Sequence, residues 1–106
     1  MRNTRESKKQ ARYYVVFVVT KYASFAEGKT KAPDTIAAHL KRSKELHEKG
    51  TLVMSGAFLD RNDEPLSTMG VLTSHEAAEE YVKGDPFYLN GMISEWHIRE
   101  WANMFA

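Results

Sequence analysis

Seven consecutive strand-forming residues, Tyr13-Tyr14-Val15-Val16-Phe17-Val18-Val19, constrain this chain more than any other feature. Side chains alternate between the two faces of a strand. Here both sets are apolar or aromatic: Tyr13, Val15, Phe17 and Val19 on one, Tyr14, Val16 and Val18 on the other. Neither face suits water, so the segment is expected to be a strand that needs cover on both sides. A basic start before an apolar run gives a superficial likeness to a secretory signal. The run is short, β-branched and aromatic, and meets Thr20 and Lys21 at once without a convincing small-residue cleavage site, so it reads as a buried strand. Nothing in the sequence approaches the roughly 20 apolar residues of a membrane span, and no membrane partner is expected.

After this strand, residues 22–32 contain Gly28 and several charges before Pro33 and read as a loop running into a helix start. Residues 34–49 have the composition of a helix, with Asp34 in the first turn, Lys49 at the end and Gly50 in the C′ position. At 100° per residue, Ile36, Leu40, Ser43, Leu46 and His47 share one stripe, which is expected to be the buried face. Residues 51–58 alternate as a strand, with Leu52, Met54, Gly56 and Phe58 on one side and Thr51, Val53, Ser55 and Ala57 on the other. The polar turn at residues 60–65 and renewed strand character over 66–73 complete an antiparallel hairpin. Thr73 and Glu76 have capping-box spacing and open a second helix over residues 74–83, closed by Gly84. Asp85-Pro86-Phe87 starts a short helical or turn segment, and residues 93–101 form the last strand. The resulting order is βαββαβ, an α+β ferredoxin-like arrangement with a four-stranded antiparallel sheet and two helices on one face. Sheet-to-sheet dimerisation or a ligand cleft would cover the other face.

The 106 residues allow one hydrophobic core and exclude a two-domain enzyme. With no cysteine, disulfides, thiol nucleophiles, Cys-ligated zinc and iron-sulfur clusters are all excluded, and a cytoplasmic location fits. The net charge of +1 conceals an uneven distribution. In residues 1–12, five cations against Glu6 give +4, leaving ten cations against thirteen acids, or −3, for residues 13–106. Nucleic acid is therefore not an expected partner, because the basic excess lies on a short leader and not on the body.

The remaining route to chemistry is an acid-base pair. His39 lies on the first predicted helix about 60° from the centre of its apolar stripe, where it can reach a cleft edge. An unperturbed imidazole titrates near pH 6.5 and works best when a carboxylate fixes its tautomer. Asp85 is the candidate carboxylate, in a corner set by Pro86. Asp-Pro is also an ordinary helix N-cap, and a lone histidine on a helix flank is often a packing residue. The two roles of Asp85 are compatible, since a capping carboxylate keeps a free lone pair. Ser55 and Gly56 are candidate substrate contacts: a strand glycine permits close approach of a ligand, though it equally marks a bulge or tight packing. His47 is expected to pack on the sheet, His75 to be solvated, and His97 to be a pocket wall or an interface residue. Without H-x-H or H-E-x-x-H spacing, no metal site is predicted.

Several segments together resemble the YCII-related (YciI-like) family. They are the first strand, Ala38-His39-Leu40 after Pro33, Leu46-His47-Glu48-Lys49-Gly50, Met54-Ser55-Gly56-Ala57-Phe58, Asp85-Pro86-Phe87, and Glu95-Trp96-His97-Ile98-Arg99-Glu100-Trp101. The likeness covers residues 13–103 and makes residues 13–106 the expected domain, with 1–12 as a leader. The resemblance implies a ferredoxin-like fold assembled as a dimeric α+β barrel, and a histidine-aspartate active site that maps onto His39 and Asp85. Some relatives act as dehydrochlorinases on chlorinated hydroxyquinols, which implies a small aromatic or lactone-like substrate. Family members often carry a basic group shortly before the helix histidine, whereas this chain has Asp34 and Thr35; Lys21, Lys29 and Lys31 are candidate substitutes.

The leading expectation is a cofactor-independent lyase or isomerase, a homodimer whose neutral His39 moves a proton on a small cyclic substrate. Asp85 would hold the imidazole, and Ser55 or backbone N–H groups near Gly56 would polarise a substrate oxygen. The alternative is a non-catalytic dimeric module that binds a small molecule. A monooxygenase of the same broad fold is a third reading, although no residue set demands haem or flavin.

Overall fold

The apolar run forms β1 (Ala11–Thr20), the first element of a computed structural model that describes residues 11–105. Residues 1–10, most of the expected leader, lie outside the described residues; Ala11 and Arg12 already belong to β1. There follow α1 (Phe25–Lys31), α2 (Pro33–Glu48), β2 (Leu52–Ala57), β3 (Ser67–Leu72), α3 (His75–Lys83), α4 (Pro86–Leu89) and β4 (Ile93–Asn103). The four strands are antiparallel in the order β2-β3-β1-β4, as a ferredoxin-like α+β fold requires.

Both sides of β1 carry apolar side chains, but their cover differs. Val16 and Val18 are buried with Leu52 and Leu72 against Ala78, Tyr81 and Val82 of α3. Val15, Phe17, Met54, Met69, Val71 and Trp101 line a hollow on the helix-free face, where Met54 and Trp101 are exposed. The barrel expected from the family resemblance is corrected here. The sheet is open, with β2 and β4 as its edges and two strands between them. Four strands are too few to curl round and pair end to end, whereas a filled barrel commonly needs about eight.

Four helices form: the two expected, the short helical segment anticipated after Asp85, and one more. The missed helix, α1, lies in the segment read as a loop. Its sequence signal is the capping-box spacing of Ser24 and Glu27: Ser24 Oγ accepts from Glu27 N–H at 3.0 Å, while Glu27 Oε2 accepts from the N–H of Ala23, one residue before the cap, at 2.8 Å. Gly28 does not break this helix. A Cβ there would lie 2.8 Å from Leu66 Cδ2, so the glycine permits close packing on the residue that leads into β3. The next helix, α2, ends as its sequence predicts, with Gly50 at φ 83° and Thr51 N–H donating to Leu46 O. In α3 the cap is Ser74, whose hydroxyl accepts from Ala77 N–H, in place of the expected Thr73.

The buried stripe of α2 is rotated from the one predicted. Leu40 is 60% exposed and His47 is exposed, while Ser43 is buried and the His39 side chain is 14% exposed. The reason is tertiary: α2 sits over edge strand β2 and between α1 and α4, so its inner surface faces polar partners as well as the sheet. Arg42 reaches across to α3 and donates to Tyr81 O at 2.8 Å and Glu80 O at 2.9 Å, satisfying carbonyls at that helix's C-terminal end.

Candidate active site

Asp85 is 6% exposed and stands at the N-cap of α4 with φ −70° and ψ 138°, the extended geometry favoured before proline. Pro86 at the first helical position has no N–H to satisfy, and Asp85 Oδ2 accepts from Phe87 N–H at 2.9 Å. The other oxygen, Oδ1, accepts from His39 Nδ1 on α2. The two expected functions of this carboxylate, cap and imidazole partner, are thus divided between its two oxygens. A second tie, Asn90 Nδ2 to Thr35 Oγ1 at 3.1 Å, helps dock α4 on α2.

The hydrogen bond to Asp85 fixes a tautomer. With the proton on Nδ1, the other ring nitrogen of His39 carries a lone pair. Among the described residues Nε2 has no hydrogen-bond partner, and it is not one of their fully buried unpartnered atoms. His39 lines a hollow of about 210 Å³ between α2, β2 and α4, with Phe25, Ile36, Leu66 and Phe87 as apolar walls and Ser55 and Thr68 as polar ones. The Phe87 ring lies 5.3 Å from the His39 ring, tilted by 49°. Since a cavity of about 150 Å³ can hold benzene, this hollow has room for one small substituted ring. Asp85 does not line it; the carboxylate sits behind the imidazole. That arrangement can hold and stabilise an imidazolium while only the imidazole meets a ligand.

Ser55 reaches this hollow through a feature that strict alternation did not contain. The pairing of β2 with β3 shifts between Leu52 and Met54, so Leu52 opposes Leu72 whereas Ser55 opposes Gly70. Leu72 and Gly70 are two residues apart and share a face, and Leu52 and Ser55 therefore share it too, although they are three residues apart. The irregularity turns Ser55 towards the helices. Gly56 also lines the hollow, but a Cβ there would meet nothing within 4 Å, so no protein contact demands glycine.

The other histidines stand apart. His47 reaches the sheet, as expected, by donating from Nδ1 to Leu52 O of β2 at 2.9 Å, but its side chain stays exposed and is not part of the buried face of α2. His75 is exposed at the edge of Tyr14, and His97 stacks on Phe17 at 5.0 Å on the helix-free face. Among the described residues no group of three or more His, Asp or Glu side chains could hold a metal ion. None of their helices is long and apolar enough to cross a membrane. Sequence reasoning missed Phe25, Thr68 and Phe87 as walls of the hollow. The capping box before Phe25 and the position of Phe87 next to Asp-Pro were the available signals.

Solved structures with similar folds share little sequence with this chain. The 5-chloro-2-hydroxyhydroquinone dehydrochlorinase of Burkholderia phenoliruptrix, in complex with 2,5-dihydroxybenzoquinone, superposes with a TM-score of 0.58 at 17% identity, over 84% of this chain and 92% of that one. SnoaB, a cofactor-independent oxygenase from Streptomyces nogalater, gives 0.50 at 13% identity over 91% and 96%. A putative antibiotic biosynthesis monooxygenase from Chloroflexus aurantiacus gives 0.50 at 13% over 90% and 95%. No curated protein matches the sequence significantly. The YCII-related domain, in contrast, matches at the level of a family model over residues 13–102, nearly the whole chain, and the protein belongs to that family.

Proposed function

We propose that this protein is a cofactor-independent acid-base catalyst of the lyase or isomerase type, acting on a small oxygenated ring. The observation that carries this reading is the His39–Asp85 hydrogen bond, with His39 lining a ring-sized hollow. Neutral His39 takes a proton from an acidic C–H or O–H of the ligand through Nε2. The electron pair left behind forms a new double bond as a leaving group departs with its own pair, or the proton returns at another position. Asp85 stabilises the imidazolium in between, and Ser55 donates to a ligand oxygen. The fold shared with a dehydrochlorinase and a cofactor-independent oxygenase supports reactions of this kind without fixing which one occurs.

The test uses 5-chloro-2-hydroxyhydroquinone as the probe, with chloride release and solvent deuterium incorporation as separate readouts. At least one should exceed the His39→Ala background, on the order of 10²-fold or more for a positioned acid-base group. If wild type and His39→Ala were equal in both, acid-base catalysis on this class of compound would be overturned in favour of a binding module. We further propose that a second copy of the chain covers the helix-free sheet face, where Met54 and Trp101 are exposed beside Phe17. Sedimentation at twice the chain mass, lost on Phe17→Glu, is the expected result; a monomer at high concentration refutes it.

A further inference from the structure

Ser43 is the one residue among those described whose buried side-chain oxygen has no hydrogen-bond partner. It is 8% exposed and lies one helical turn beyond His39 on the same face of α2. Buried hydroxyls are ordinarily paired, so an orphan suggests a group that a ligand completes. Ser43 lines a second hollow, of about 410 Å³, between α2 and β2. Leu40 and Ser55 line both this hollow and the one at His39, so the two adjoin at those residues.

Behind these serines stands Tyr81 of α3, 4% exposed. Its ring lies against β3 at Gly70: a Cβ added there would be 3.0 Å from Tyr81 Cε2 and 3.5 Å from the hydroxyl. Gly70 is directly opposite Ser55 in the β2–β3 ladder, so the missing side chain lets the phenol slide over the sheet towards Ser55. Burial pushes the Tyr81 phenol above its ordinary value; the neighbouring Ser43 hydroxyl, Ser55 and Arg42 pull it down, and the Asp85 charge pushes it up. It remains a neutral donor in the physiological range. Arg42 is committed to the Tyr81 and Glu80 carbonyls. The phenol thus has Ser55 and Ser43 as neighbours, while Ser43 Oγ makes no hydrogen bond.

We infer that Tyr81 is a positioning residue that aims the Ser55 hydroxyl at an oxygen substituent, hydroxyl or carbonyl, of an aromatic ligand seated against His39. The inference rests on the His39 hollow as the ligand site and adds the feature that selects an oxygenated ring over a hydrocarbon. Tyr81 acts through Ser55, since its own side chain lines neither hollow.

Phenol and toluene, matched in size and differing in the oxygen, are the probes. Each is titrated into the full chain, with NMR signals of the His39 ring and of the Ser55 and Thr68 amides as reporters. In Tyr81→Phe and in Ser55→Ala the ratio of phenol to toluene affinity should fall by about fivefold or more relative to wild type, the size of one good hydrogen bond, with toluene affinity retained. A merely structural tyrosine would weaken both ligands alike. A ratio unchanged in Tyr81→Phe overturns the inference while leaving the His39 site intact, whatever Ser55→Ala does; if Tyr81→Phe fails to fold, Gly70→Ala, whose methyl displaces the Tyr81 ring, takes its place. If neither probe perturbs the reporters in wild type, the hollow is not a ring-binding site, and the inference falls with the reading beneath it.

Discussion

Replacing Asp85 separates its structural and chemical duties. In Asp85→Ala, the Phe87 N–H loses its cap, a change that costs about 1 kcal/mol. The His39 Nδ1 proton also loses its acceptor at a side chain only 14% exposed, which adds about 1–3 kcal/mol. The sum, about 2–4 kcal/mol, should lower the thermal midpoint by on the order of 10–20 °C. Asp85→Asn keeps the shape and one oxygen. If that oxygen continues to cap Phe87, the amide NH₂ faces His39, and the imidazole must present an acceptor at Nδ1. Its proton then moves to Nε2, which changes from acceptor to donor on the ligand side. The Asn variant should therefore lose only about 1 kcal/mol, yet lose proton-abstracting ability by on the order of 10²-fold or more. Thermal unfolding of both variants, with ¹⁵N chemical shifts of the His39 ring, gives the answer. An Asn variant that kept the proton on Nδ1, or an Ala variant as stable as wild type, would refute the division of labour between the two carboxylate oxygens.

Ser43→Ala removes a buried hydroxyl with no partner and should leave stability unchanged or raise it by up to about 1 kcal/mol, read as the denaturant midpoint. A loss above 1 kcal/mol would mean that the hydroxyl is paired in solution. The raised phenol of Tyr81 carries a pH signature. Folded and unfolded chains both hold this proton below the ordinary value of 10.0; above it the unfolded chain releases the proton first, so stability falls as pH rises towards the folded-state value. The stability difference between wild type and Tyr81→Phe should be flat from pH 7 to 9 and shift against wild type above about pH 10, measured by urea unfolding; a flat difference throughout would contradict the buried setting. Gly70→Ala places a methyl 3.0 Å from the Tyr81 ring and should destabilise by about 1–3 kcal/mol, with Tyr81→Phe giving no relief because the clash is with ring carbon.

Much of the architecture is local enough to be read along the chain. Apolar residues on both sides of β1 require a central position, Gly50 stops α2, Asp-Pro starts α4, and the hairpin follows from the polar turn between β2 and β3. These are properties of φ/ψ preference and side-chain alternation, which a segment carries with it. Even α1 was legible in its capping box; Gly28 concealed it, because glycine was read as a breaker when its purpose is contact with Leu66.

Other features exist only once the segments meet. Helical periodicity assigned Leu40 and His47 to the inside of α2, but a helix over an edge strand has its buried face chosen by neighbours on three sides, and His39 and Arg42 turn inward with Ser43. The irregularity between Leu52 and Met54 arises from pairing with β3, and it carries Ser55 to the face that alternation denied it. The union of His39 with Asp85 spans 46 residues. The sequence supplied a histidine on a helix and a carboxylate at a cap. Only the packing of α4 on α2 could place one behind the other, because a long-range contact is determined by the joint fit of the elements and not by the preferences of either segment alone.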